Sequence, residues 1–83
     1  MLSINYFASV REQAGRAHDQ LDMPASVTSI AELIKYLVAT DPSRMTMLED
    51  NSVLVAVNQT VVNTDYTLRG DEEVAFFPPM TGG

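Results

Sequence analysis

One stretch limits the folds open to this chain more than any other. Ile30, Leu33, Ile34, Leu37 and Val38 recur at i, i+3, i+4, i+7 and i+8, the spacing of a single apolar stripe on an α-helix. Thr28 or Ser29 serves as N-cap, and Ser29 with Glu32 has capping-box spacing. Asp41-Pro42 closes the helix, because the residue before proline is driven out of the helical region. Glu32, Lys35, Tyr36 and Ala39 fall on or near the outer face. A striped helix must bury its stripe against another layer, and the other helical segments of the chain are short. The partner layer has to be a sheet.

The flanking segments supply one. Leu2 to Phe7 alternates, with Leu2, Ile4 and Tyr6 on one face and Ser3, Asn5 and Phe7 on the other. Ala8 to Ala14 reads as a short helix with Ser9 as N-cap and Gly15 as its stop. His18 to Met23 is a second strand with Leu21 and Met23 as apolar positions, ended by Pro24. After the main helix, Asp41-Pro42 is the N-cap and N1 of a short helix over about Pro42 to Leu48, with Met45 and Leu48 inward. Val53 to Val57 is a continuous apolar run, the pattern of a strand covered on both sides. Asn58-Gln59-Thr60 turns it into Val61-Val62. Tyr66 to Leu68 is a brief segment, Arg69-Gly70-Asp71 a turn, and Glu73 to Phe77 the last strand.

The order β-α-β-α-α-β-β-β specifies an α+β fold: a mixed sheet of four or five strands with the main helix on one face. With the first and last strands as central neighbours, Leu2, Ile4, Tyr6, Val74 and Phe76 meet the helix stripe. Phe7 and Phe77 then share the other face, beside Val61 or Val62. Either this apolar group is a partner surface, or loops and the short helices cover it.

Charge and composition exclude several functions. The net charge is −6, and the five basic residues, Arg11, Arg16, Lys35, Arg44 and Arg69, are scattered. A nucleic-acid binder needs them clustered to neutralise phosphates; an acidic surface suits a basic partner site. Cysteine is absent, which rules out disulfides, cysteine-ligated zinc and a side-chain thiol nucleophile. No secretory signal and no membrane-length apolar run occur, so the expected location is cytoplasmic.

The familiar motifs are weak. His18 is the only histidine and reads as a surface strand residue. Asp71, Glu72 and Glu73 read as a solvated acidic turn rather than a cation site, since successive strand residues point to opposite faces. Asn58-Gln59-Thr60 matches a glycosylation sequon and Arg69-Gly70-Asp71 an adhesion tripeptide; both read as coincidence. There is no phosphate-binding glycine loop and no nucleophile elbow.

The ending is different. Pro78-Pro79 stops the last strand, because proline has no N–H for the ladder. Met80-Thr81-Gly82-Gly83 follows. A carboxylate is a poor electrophile until it is adenylated, after which sulfur can displace AMP and leave a thiocarboxylate. Glycines lack Cβ, so such a tail can thread a narrow channel. The proline pair stiffens its base. A chain without cysteine can hold transferable sulfur only at its terminus.

The segment G-D-E-E-V-A-F-F-P-P-M-T-G-G, Gly70 to Gly83, resembles the C-terminal signature of the small-subunit family of molybdopterin synthase, ubiquitin-like sulfur carriers of β-grasp fold. The family's pattern is G-D-E-V-A-F-F-P-P-V-T-G-G, so one extra acid and Met80 for valine are departures. V-A-V-N-Q-T-V-V (Val55 to Val62) and Y-F-A-S-V-R-E (Tyr6 to Glu12) also match. The resemblance implies a β-grasp domain over residues 1–77 and a tail over residues 78–83, inserted into a partner's active site. It implies that an E1-like adenylyltransferase adenylates Gly83 with ATP, that a sulfur donor system makes the thiocarboxylate, and that sulfur passes to cyclic pyranopterin monophosphate. The catalytic side chains then belong to the large subunit of a heterotetramer. By the same resemblance Pro78, Pro79, Met80, Thr81 and Gly82 enter the partner, and Phe7, Arg11, Val61 and Phe77 form the docking surface. No cofactor or metal is expected on this chain, and no nucleic-acid or membrane partner. The alternatives are the thiazole-synthesis sulfur carrier, which is usually shorter and lacks F-F-P-P, a ubiquitin-like modifier, and an interaction domain with an incidental tail.

Overall fold

The computed structural model describes residues 1–79. Its elements run β1 (Leu2–Tyr6), α1 (Ala8–Ala14), β2 (His18–Leu21), α2 (Ile30–Thr40), α3 (Pro42–Met45), β3 (Leu54–Val57), β4 (Thr60–Val62) and β5 (Glu73–Phe77). The five strands form one sheet in the order β2-β1-β5-β3-β4. The first and last strands are central neighbours and parallel, Ile4 opposite Val74 and Tyr6 opposite Phe76; the other pairs are antiparallel. This is the expected mixed sheet, in the β-grasp arrangement.

The core lies between the helices and one face of the sheet. Leu2, Ile4, Tyr6, Val55, Val57, Val74 and Phe76 come from the strands, and Ile30, Leu33, Ile34 and Leu37 from α2. Val38, at the edge of the stripe, is only partly buried. Val10 and Ala14 of α1, Met45 of α3 and Leu48 also enter this core, so the short helices pack on the same side as α2. Tyr6 and Phe76 stack with centroids 6.2 Å apart.

The α2 cap takes half of the expected box: Ser29 caps the helix, but the Glu32 carboxylate reaches past the N-cap N–H to Thr28. Ser29 Oγ accepts the Glu32 N–H at 3.3 Å, and Glu32 Oε1 accepts the Thr28 N–H at 2.9 Å and the Thr28 hydroxyl. Beyond its far end, Arg16 donates to Asp19 at 2.7 Å and to Asp41 at 3.3 Å, tying β2 to the end of α2. The Tyr6 hydroxyl donates to the same Asp19 oxygen at 2.9 Å. Burial first, then the bond to Asp19, push the Tyr6 hydroxyl pKa far up, so it stays a donor.

Several boundaries differ from the sequence expectation. Ser9 does not cap α1: the N-cap is Phe7, without a side-chain cap. Phe7 stays extended and donates its N–H to Phe76 O at 3.1 Å, so the sheet ladder fixes where the helix starts. Gly15 does stop it, in the left-handed region at φ 74. β2 ends at Leu21, before Met23. The helix from Pro42 tightens after Met45 into a 3-10 turn over Thr46–Glu49. Thr60 belongs to β4 rather than to the turn, pairing with Val57. The turn is Asn58-Gln59 alone, both at positive φ, 49 and 71, as a two-residue type I′ hairpin requires. Thr67, in the brief segment, makes a single bridge to Ser29.

Candidate functional site

β5 carries both faces of the sheet and leads into Pro78-Pro79. On its core side Val74 and Phe76 are buried; Ala75 and Phe77 point the other way and are half-buried. Strand alternation puts Phe7, Asn5, Leu54, Ala56 and Val61 on that same side. The pairing arranges them in rows. Phe77 stands opposite Leu54, with Phe7 on the neighbouring strand end. Below them run Asn5, Ala75, Ala56 and Val61.

This face is open. Phe7 is 49% exposed and Val61 61%. The short helices do not cover it, because their buried residues face the core on the other side. The expectation that β3 is covered on both sides therefore fails. Ala56 is only 7% exposed because its short side chain lies between Val61 and Ala75 in the sheet, without a second layer above it. The face is apolar at the end near Pro78. Glu73, an acid on this side, sits at the far end of β5, where the Glu73 N–H donates to Asn58 Oδ1 at 3.0 Å.

Phe7, Val61 and Phe77 thus fall on one surface. Arg11 is exposed on α1 one turn after Phe7, its N–H bonded to Phe7 O at 3.2 Å. Pro78 is half-buried and Pro79 exposed. Met80, Thr81, Gly82 and Gly83 lie outside the described residues. Leu54 and Ala56 are surface members that the sequence reading missed. Their signal was the alternation within β3, hidden because both faces of that strand are apolar.

The acidic turn before β5 also corrects an expectation. Glu72 is not solvated; it is 5% exposed. Its carboxylate accepts the N–H groups of Arg69 at 2.8 Å, Gly70 at 2.9 Å and Asp71 at 3.2 Å. Burial alone would raise its pKa. The backbone donors outweigh burial and hold the carboxyl below the usual glutamate value. The Arg69-Gly70-Asp71 tripeptide is thereby a tight turn wrapped around a carboxylate. Gly70 has φ 117, a conformation that disfavours a side chain. The turn fixes where β5 begins, and so which of its residues face outward.

His18 is exposed, its Nδ1 2.9 Å from Asn5 Oδ1. Among the described residues no three His, Asp or Glu side chains come together as metal ligands. No helix among them is long and apolar enough to cross a membrane.

The chain is similar to known proteins over its full length. The ThiS family model matches residues 4–83. The molybdopterin synthase sulfur carrier subunit of Escherichia coli is 40% identical over 83 residues, covering 100% of both chains. The protein of the same description from Haemophilus influenzae is 34% identical over 84 residues, again covering 100% of both. Among solved structures, SAMP1 from Haloferax volcanii superposes with a TM-score of 0.75 over 99% of this chain and 98% of its own. At 23% identity that likeness speaks to fold alone. By family and by its full-length relatives, the chain belongs to the ThiS family and to the molybdopterin synthase sulfur carrier subunits.

Proposed function

We propose that this chain carries sulfur on the C-terminal carboxylate of Gly83 and delivers it within molybdopterin synthase, in molybdenum cofactor biosynthesis. One observation carries the reading: a single strand, β5, holds the core with Phe76, lines the open apolar face with Phe77, and runs straight into the proline-stiffened tail. A partner docked on the open face receives the tail at a fixed place. The full-length likeness to molybdopterin synthase sulfur carrier subunits supports the same reading.

The chemistry follows in three steps. A carboxylate oxygen of Gly83 attacks the α-phosphorus of ATP on an E1-like adenylyltransferase, releasing pyrophosphate. A sulfur donor system displaces AMP and leaves the thiocarboxylate. The tail, Pro78 to Gly82, then enters the large subunit, where sulfur passes to cyclic pyranopterin monophosphate. The chain itself contributes no catalytic side chain and holds no cofactor; ATP belongs to the activating enzyme. Phe7, Val61 and Phe77, with Arg11 beside them, supply the docking surface for the large subunit. Burying such an apolar face stabilises association by about 25 cal/mol per Å² before the entropic cost of docking. The assembly is a cytoplasmic heterotetramer.

Intact-mass analysis tests this directly. After incubation with the activating enzyme, ATP and a sulfur source, the chain gains the mass of one oxygen replaced by sulfur, localised to Gly83. An unchanged mass, with the enzyme shown to be active, defeats the reading. Isopeptide conjugates of Gly83 on lysines of other proteins would instead make the chain a modifier.

A further inference from the structure

One row of side chains crosses the whole open face. The register sets His18 of β2 opposite Asn5 of β1, Asn5 opposite Ala75 of β5, Ala75 opposite Ala56 of β3, and Ala56 opposite Val61 of β4. Residues opposite each other in a ladder share a face. His18 therefore belongs to the surface that carries Phe7, Phe77 and Val61. The row is apolar from Val61 to Ala75 and polar at Asn5 and His18.

The two polar members are paired. His18 Nδ1 lies 2.9 Å from Asn5 Oδ1. An amide oxygen can only accept, so Nδ1 carries the proton and the neutral ring keeps Nε2 as a bare acceptor. The pairing matters for docking. Asn5 is half-buried on β1, and a partner laid over the face takes water away from it. An unmet amide oxygen there would weaken binding; His18 meets it in advance, from within the chain. What the pair leaves unmet is Nε2, on an exposed ring at the β2 edge.

Width decides whether a partner reaches that edge. Neighbouring strands lie about 4.8 Å apart. A partner that touches Phe7 at the end of β1 and Val61 on β4 already spans four strands, about 14 Å, and β2 is one strand further. A standard interface takes about 800 Å² from each partner, a patch roughly 30 Å across. The five-stranded sheet is narrower, about 19 Å, so His18 falls inside the footprint, towards its rim.

We propose that Asn5 and His18 form the polar end of the surface that docks the large subunit, with His18 Nε2 accepting a hydrogen bond from an N–H or O–H of that partner. This rests on the docking reading above. The contact adds what the apolar residues cannot. Apolar burial is non-directional and leaves the rotation of the sheet on its partner loosely set. One hydrogen bond at the end of the row farthest from Val61 fixes that rotation. The direction in which β5 sends the tail is fixed with it.

His18 is the only histidine, so diethyl pyrocarbonate, which acylates accessible imidazole nitrogens, gives the test. The mass of the peptide that carries residue 18, followed over time, reports the rate in the full chain. With the large subunit at saturation that rate should fall about tenfold, as for a ring covered by an interface. Lys35, exposed on α2, should keep its rate. His18→Ala removes the contact and leaves Asn5 Oδ1 unmet, and should raise the large-subunit Kd about tenfold, with circular dichroism unchanged. An unaltered labelling rate in the saturated complex overturns the proposal. So does protection without any loss of affinity in His18→Ala, which would mean a covered ring with no bond to it. Protection that grows with the concentration of the chain alone makes a second copy the occupant and overturns it too. If the large subunit does not bind the unaltered chain at all, the docking reading itself fails, and this inference with it.

Discussion

The two faces of the sheet are built from the same strands and differ by one residue of phase. On the closed face Leu2, Ile4, Tyr6, Val74 and Phe76 are sealed under α2. On the open face the matching places hold Ser3, Asn5, Phe7, Ala75 and Phe77, graded from polar at one end to aromatic beside the tail. Size separates the faces as much as polarity does. The closed face uses large side chains that interdigitate with a helix, whereas the open face has Ala56 and Ala75 at its centre with Leu54, Phe77 and Val61 around them. A shallow apolar face of this kind suits a partner that binds and leaves, because its small central residues leave little surface in water when free.

Removing the ring that anchors the closed face should have the largest effect. Phe76 is 1% exposed and stacks on Tyr6. Phe76→Ala should cost about 3–5 kcal/mol of folding stability, read as a lower urea midpoint. Its sequence neighbour should behave in the opposite way. Phe77→Asp should leave the melting temperature nearly unchanged but weaken large-subunit binding by about 3 kcal/mol, more than a hundredfold in Kd, because it places a charge in a desolvated contact. If Phe77→Asp unfolds the chain, Phe77 belongs to the core and the contrast between the faces is wrong.

Glu72 sets the phase of β5 through the turn it caps. Glu72→Ala strands the N–H groups of Arg69, Gly70 and Asp71 and should cost about 2 kcal/mol. The same carboxyl gives a pH signature. Its folded pKa is depressed, so the unfolded chain takes up a proton first as the pH falls. Its contribution is complete above the ordinary glutamate value of about 4.3 and is lost as the pH drops through the folded value. Urea midpoints measured down the acid limb should fall for the parent chain. In Glu72→Gln this part of the fall should be absent.

The parts legible in the sequence were those written in period and punctuation. The α2 stripe, its cap at Ser29 and the opposed faces of Phe7 and Phe77 needed only spacing and alternation; the central pairing of first and last strands entered as a premise, and Val61 was separated from Val62 only by the family resemblance. What stayed hidden depended on contacts across the chain. Val53 to Val57 is apolar throughout, so its pattern could not show that Leu54 and Ala56 face a side without a second layer. Glu72 follows Asp71 as one more surface acid until the turn folds back and three N–H groups converge on it. Ser9 has the chemistry of a cap, but the bond from Phe7 to Phe76 sets the start of α1 two residues earlier.

The smallest effect concerns the hairpin that holds Val61 outward. Asn58 and Gln59 both adopt positive φ, and a slip of one residue would turn Val61 into the core and Val62 out of it. Asn58 is already suited to the turn and is tied down twice, its N–H to Glu73 O at 2.8 Å and its Oδ1 to the Glu73 N–H at 3.0 Å. Gln59 has no such compensation among the described hydrogen bonds, and a residue with a Cβ is strained at φ 71. Gln59→Gly completes the Asn-Gly pair that type I′ turns favour. It should raise stability by about 0.5–1 kcal/mol, after the flexibility gained by the unfolded chain is subtracted. Because the register is better held, large-subunit affinity should stay equal or rise slightly. A loss of affinity in a variant that is more stable would mean that Val61 reaches its partner only when the hairpin moves, and the open face would then not be preformed.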